Sequence, residues 1–205
     1  MSQSWYTHFL NILFPPRHGG RGWQEISSSE LQTHIRLRAV PNIPDTYALF
    51  PYREPVIREL VWSLKYHNAR GVADLFGETA SVLAPLTRNE LVLFVPIPLS
   101  SKRYRERGYN QAHLLAQALT RNLTNTEVRD ALIRTKDNEH QAHLKKDERE
   151  RNVRGVFAVH EPEKIKDATV FLLDDVITTG ATMREARQTL LRAGARNVIC
   201  IAITH

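Results

Sequence analysis

The chain has 205 residues, 42% of them hydrophobic and 24% charged. That is enough to bury a core without disulfides or metals, and wrong for a disordered or collagen-like chain. No apolar run reaches the ~20 residues of a membrane span. The segment Met1–Arg17 has no basic region ahead of its short apolar stretch, so no secretory signal is expected. Cys200 is the single cysteine, which excludes an internal disulfide and a cysteine-based zinc site. It lies in the apolar run Val198–Ile203 and reads as a buried strand residue, with a reducing cytoplasm as the expected compartment. Of the net charge of +6, an excess of +5 lies in residues 102–154, with thirteen basic and eight acidic residues. Such a stretch attracts nucleotide, pyrophosphate or nucleic acid; a merely solvated basic face explains the same charge.

In chain order, residues 1–45 are rich in turn formers: Pro15-Pro16, Gly19-Gly20, Gly22, Pro41 and Pro44. They read as a loosely structured region, with a short amphipathic helix over Trp5–Phe14. Thr46–Tyr52 reads as a strand. Pro55 opens a helix with Val56, Ile57, Leu60, Val61 and Leu64 on one face. A second helix is expected over Val72–Leu83. Leu91–Val95 is a strand covered on both faces, ended by Pro96-Ile97-Pro98 and followed by a polar loop to Gly108. Asn110 caps a helix carrying Leu114, Leu115, Ala118 and Leu119. Ala131–Arg134 and Val156–Val159 read as strands around a long polar segment, residues 135–153. Val170–Leu173 is a buried strand, Thr182–Arg192 a helix ended by Gly194, and Asn197–Thr204 the last strand. The alternation predicts an α/β fold with a mainly parallel sheet flanked by helices, and ligands at the carboxyl ends of the strands.

The chemistry concentrates after Leu173. Asp174 and Asp175 stand at the end of an apolar strand, and Val176, Ile177, Thr178, Thr179, Gly180, Ala181 and Thr182 lead into a helix. Adjacent carboxylates suit the vicinal hydroxyls of a ribose. The backbone N–H groups and hydroxyls of Thr178–Thr182, at a helix N-terminus, suit a phosphate monoester. Gly180 lets the backbone turn tightly around it. Neither GxxxxGK[ST] nor GxGxxG occurs.

FLLDDVITTGAT resembles the phosphoribosyl pyrophosphate (PRPP) motif of type I phosphoribosyltransferases. Val95–Leu99 with Lys102-Arg103, Arg105, Arg107–Gln111 and Leu114–Ala116 is similar to the ComF/GntX group. So are Leu64–Tyr66 and, further on, Gln141, Leu144, Arg149, Asn152–Gly155 and Phe157. The resemblance covers residues 46–205. It implies a type I phosphoribosyltransferase fold that binds PRPP with Mg²⁺, in a group associated with DNA uptake and use. By resemblance, Asp174 and Asp175 hold the ribose hydroxyls and Val176–Thr182 the 5-phosphate. Leu99, Ser100, Ser101 and Lys102 face the pyrophosphate. Arg103, Arg105, Arg107, Arg149 and Arg154 supply further phosphate or hood contacts. Residues 135–153 match the place of a hood that closes over PRPP; a plain linker is the alternative.

Members of the group often carry an N-terminal zinc ribbon. The matching stretch here, Leu13–Gly20, has no cysteine, and His8, His18 and His34 cannot replace four thiolates at that spacing. Residues 1–45 therefore read as a degenerate region without zinc, and residues 46–205 as the phosphoribosyltransferase-like domain. His113, His140 and His143 read as surface residues. The partners implied are PRPP, single-stranded DNA, and competence or DNA-processing proteins. Tyr104 and Tyr109, among the arginines, either stack on bases or pack inward. Two alternatives stay open: an active nucleobase or amine phosphoribosyltransferase, and a non-catalytic module whose contact with DNA or protein is regulated by PRPP.

Overall fold

The computed structural model describes residues 22–136 and 153–205. The expected helix over Trp5–Phe14, the Leu13–Gly20 stretch, and Gln141, Leu144, Arg149, His140 and His143 lie outside the described residues.

A first short helix, α1 (Ser28–His34), is capped by the Ser27 hydroxyl, which accepts from Glu30 N at 3.2 Å. The strands β1 (Arg38–Ala39) and β2 (Thr46–Phe50) follow, then α2 (Pro55–Tyr66) and α3 (Gly71–Gly77). A single 3₁₀ turn over Ala80–Leu83 leads to α4 (Ala84–Thr87). The chain continues through β3 (Val92–Pro96), α5 (Ser101–Arg107), α6 (Gln111–Thr120), β4 (Thr126–Val128) and β5 (Leu132–Arg134). It closes with β6 (Phe157–Val159), β7 (Thr169–Val176), α7 (Ala181–Arg192) and β8 (Asn197–Thr204).

Six strands form one sheet in the order β1-β2-β8-β7-β3-β4. Every neighbouring pair is parallel except β1 with β2. The strand side chains alternate between two cores, as the period of two requires. Phe94, Phe171, Leu173, Ile201 and Ile203 join α2, α3 and α6 on one face. Leu93, Val95, Val170, Leu172, Cys200 and Ala202 join Met183, Ala186 and Leu190 of α7 on the other. This is the mainly parallel, helix-flanked α/β architecture that the alternating pattern predicts. Cys200 is buried in β8, and burial pushes its thiol up to about 11.

Four local expectations are corrected. The polar loop after Pro98 is a helix, α5. The Ser100 hydroxyl caps it, accepting from Arg103 N at 3.4 Å, and Gly108 ends it at a φ of 75°. The single helix over Val72–Leu83 is broken after Gly77. There the Thr79 hydroxyl donates to Phe76 O at 2.7 Å and competes with the helical ladder. Residues 22–45, which read as loosely structured, are ordered and packed against the rest of the chain. Ile26 and Leu31 lie in the first core, and Val40 and Ile43 in the second. Lastly, β5 and β6 do not join the main sheet but form their own antiparallel pair, which brings Arg134 opposite Phe157.

Gly77 is where α3 meets α6 most closely: a Cβ there would lie 2.6 Å from Ala118 O. The obstacle is backbone, so it cannot swing aside. We expect Gly77→Ala to lower stability by about 1–3 kcal/mol despite alanine's better helix propensity. A denaturant melt measures this, and an unchanged midpoint would show that the two helices slide apart freely.

Candidate functional site

From β3 the chain runs through α6, on one face, outward to β4. From β7 it runs through α7, on the other face, in the opposite direction to β8. The carboxyl ends of β3 and β7 therefore flank the point where the winding reverses, which is where open α/β sheets bind ligands. The two strands pair from Val92 with Thr169 to Pro96 with Leu173, and Ile97 N donates to Leu173 O at 2.9 Å. The segment Leu99–Lys102 thus leaves its strand beside the point where Asp174 leaves the ladder with β3.

Asp174 and Asp175 are both inside β7, so their side chains leave opposite faces of the sheet. Asp175 is buried and faces Lys65 in the last turn of α2, with Nζ to Oδ2 at 3.1 Å; each side chain keeps only about a tenth of its exposure. Asp174 is half-buried and its Oδ1 accepts from Asp175 N at 2.8 Å. Burial first, and then the negative charge of Asp175, push the Asp174 carboxyl up to about 7, while Lys65 and Arg103 act in the opposite direction. Tyr52, also buried, is pushed up to about 12, mainly by burial.

The turn after β7 holds to β8 through Ile177 N, which donates to Thr204 O at 3.0 Å. Gly180 has a φ of 72° and begins α7 with no side-chain cap. Ala181 N donates to the Thr179 hydroxyl at 3.4 Å, a long bond within the first turn of α7. Arg184 Nη1 donates to Thr179 O at 3.0 Å and steadies the turn. A Cβ on Gly180 would meet Ile43 Cδ1 at 2.0 Å. Ile43 thus packs under the turn from the N-terminal region. Asp45 adds an ion pair with Arg187 of α7.

Residues 105–204 match the phosphoribosyl transferase domain. The DNA utilization protein YhgH of Salmonella typhi is 33% identical over 156 residues, covering 70% of this chain and 65% of that protein. Competence protein ComFC of Bacillus subtilis is 31% identical over 148 residues, covering 72% of this chain and 58% of that protein. Competence protein F of Haemophilus influenzae is 34% identical over 105 residues, covering 51% of this chain and 46% of that protein. The chain is similar to the phosphoribosyltransferase-like ComF proteins over about 70% of its length. It spans less than two thirds of the length of these relatives.

The expected ComF-family site residues fall into two groups. Asp174, Asp175, Val176, Thr178–Thr182 and the segment Leu99–Lys102 come together at the ends of β3 and β7. Arg103 is near enough to act on Asp174. Lys102, Arg103 and Arg105 are exposed on α5 rather than carried by a loop. Arg107 turns elsewhere: its guanidinium lies 5.3 Å from the centre of the Tyr66 ring. Arg154 is exposed near β6, beside Gly155, whose N–H donates to Glu185 Oε1 on α7 at 2.8 Å. Tyr109 is buried and its hydroxyl donates to Leu64 O, so it packs inward and offers no stacking face to a base; Tyr104 is exposed. Lys65, which belongs to the Leu64–Tyr66 stretch of the resemblance, also has a physical signal in the sequence. It continues the apolar stripe Ile57–Val61 by four residues, where a surface lysine has no reason to be.

Two outcomes follow for the acids. Lys65→Met leaves a buried carboxylate uncompensated and should cost about 3 kcal/mol, much of it recovered in Lys65→Met with Asp175→Asn. Denaturant melts of the four proteins measure the coupling, and additive losses would show that the pair contributes nothing. For Asp174, the folded chain keeps a proton that the unfolded chain releases at the ordinary 3.8. Stability therefore falls as pH rises from there to about 7 and is level above it. Asp174→Asn should melt higher than the native chain at neutral pH, with the gap closing as pH falls below 4; a constant gap would place the proton elsewhere.

Proposed function

We propose that the crevice binds PRPP, with Asp174 and Asp175 on the ribose hydroxyls, Thr178–Thr182 on the 5-phosphate and Leu99–Lys102 towards the pyrophosphate. The observation that carries this reading is the meeting of the acid pair and the uncapped first turn of α7 at the reversal of the sheet. A sugar hydroxyl edge and a phosphate fit its two ends. Donors along Leu99–Lys102 would meet the negative charge that grows on pyrophosphate as the bond at ribose C1 breaks. In a transfer, the incoming nucleophile forms the bond to C1 and the electron pair of the broken C1–O bond leaves with pyrophosphate.

Mg²⁺ fits this scheme as a companion of PRPP. No cluster of three or more metal-ligating side chains occurs among the described residues. The acid pair offers one carboxylate beyond the Lys65 ion pair, so most of the metal's oxygen ligands would come from PRPP itself. Bound there, Mg²⁺ would neutralise pyrophosphate charge.

The biological reading is a protein of DNA uptake and use, in line with its DNA utilization and competence relatives, working in the cytoplasm. No helix among the described residues is long and apolar enough to cross a membrane. The exposed row Lys102, Arg103, Tyr104 and Arg105 favours contact with single-stranded DNA as a second activity of the same mouth.

Calorimetry with PRPP, ribose 5-phosphate and Mg²⁺ tests this reading. Asp174→Asn with Asp175→Asn should weaken both ligands by an order of magnitude or more while the chain stays folded. Gly180→Val should abolish both, since a β-branched residue resists the left-handed turn. Lys102→Ala should weaken PRPP more than ribose 5-phosphate; equal losses would remove it from the pyrophosphate role. DNA bound at the same mouth should be displaced by PRPP and weakened steeply by salt.

A further inference from the structure

A cavity of about 170 Å³ lies between the end of α2 and the corner that joins α5 to α6. Lys65, Tyr66, Asn68, Glu106, Arg107 and Tyr109 line it. Lys65 is also the partner of Asp175, so one side chain separates this cavity from the acid pair. We propose that the cavity is a subsite for one planar, uncharged ring of pyrimidine size, stacked on Tyr66. The proposal rests on the PRPP reading for what lies beyond Lys65.

Size decides how much of a ligand enters. A cavity of about 150 Å³ takes one benzene ring, whereas whole drug-sized ligands need roughly 300 Å³ or more. One six-membered ring fits here, and a complete nucleotide does not. Charge decides its class. Lys65 is matched by Asp175, and Arg107 shares the cavity with the Glu106 carboxylate. The lining is close to neutral, which disfavours a phosphate and suits a ring with alternating carbonyl and N–H groups. Asn68 and Glu106 offer acceptors, and Lys65 and Arg107 offer donors, for such an edge.

The walls are held in advance. The Tyr109 hydroxyl donates to Leu64 O, which ties the start of α6 to the last turn of α2. The Arg70 guanidinium covers the Tyr109 ring at 5.0 Å, and Arg70 Nε donates to Asn68 Oδ1 at 3.3 Å. Tyr66 remains 44% exposed, and Arg107 lies over its ring. Aromatic rings and guanidinium planes are both surfaces on which unpaired bases stack, so an entering ring takes the Tyr66 face by displacing Arg107 onto its own outer face.

The ring has two possible sources: a free nucleoside or a base of an unpaired strand. Calorimetry of the full chain with thymidine and with a short oligothymidylate separates them. Thymidine binding assigns the subsite to free nucleosides; binding of the oligonucleotide alone assigns it to the strand. In either case Tyr66→Ala should weaken binding roughly tenfold or more, and Tyr66→Phe by no more than about twofold, because stacking needs the ring and not the hydroxyl. Arg107→Ala is a second variant that leaves Tyr66 in place and should also weaken binding. Ribose 5-phosphate, titrated in parallel, should bind Tyr66→Ala as it binds the native chain. If neither ring ligand binds, or if Tyr66→Ala binds as tightly as the native chain, the proposal is overturned. If ribose 5-phosphate fails to bind the native chain, the phosphoribosyl reading falls alone, and Tyr66-dependent ring binding still stands.

Discussion

Two carboxylates on consecutive residues, at the end of a strand whose first five residues are buried, set the electrostatic problem of this molecule. Side by side in water they would repel modestly. Here burial raises the cost of both charges. The pleat sends them to opposite faces, and each face treats its acid differently. On one side Lys65 supplies a counter-charge to Asp175. On the other side burial holds a proton on Asp174 up to near neutrality. The site is thus balanced without a ligand, by a lysine and a proton. A ligand that brings hydroxyl donors and cations can take over part of that balance.

The position of Lys65 depends in turn on packing far from the acids. Ile57, Leu60, Val61 and Leu64 seat α2 against the sheet in the first core. Tyr109 ties its last turn to α6, and Asn110 ties the start of α6 to the loop after β3 by donating to Ile97 O at 3.0 Å. A closed circuit therefore runs from β3 through α6 and α2 to β7. Displacing any member shifts Lys65 relative to Asp175. The residues of the Tyr109–Asn110 segment are structural parts of the site, though neither needs to touch a ligand.

Much of this was legible in the sequence where physics is local. Continuous apolar runs marked β3, β7 and β8, and the acid pair followed by Thr-Thr-Gly-Ala-Thr marked a turn into a helix. The misses have different causes. The strands β1 and β4 have two and three residues, too few for a period to show. The helix α5 carried both its signals, Ser100 before it and Gly108 after it. Its charged composition, SKRYRER, nonetheless read as a loop because no apolar stripe runs through it. Position 77 must be glycine for a reason that lies about forty residues away, at Ala118. The tie between Lys65 and Asp175 is likewise non-local: a helix and a strand more than a hundred residues apart meet only once the sheet order is known. The turn-rich region before Thr46 hid its packing because its buried residues, Ile26, Leu31, Val40 and Ile43, are scattered among polar ones.

That last region does something for the sheet that has not depended on any ligand. Arg36 N donates to Leu49 O at 2.9 Å, Arg38 and Ala39 pair with Ala48 and Tyr47, and Val40 N donates to Thr46 O at 2.8 Å. These few residues form a strap along the whole outer side of β2. Without them, β2 would be an open edge of apolar residues, with free amides and carbonyls ready to template another chain. Residues 36–40 therefore guard the edge of the sheet against self-association. A fragment beginning at Thr46 would lose this cover together with the core residues Ile26, Leu31, Val40 and Ile43.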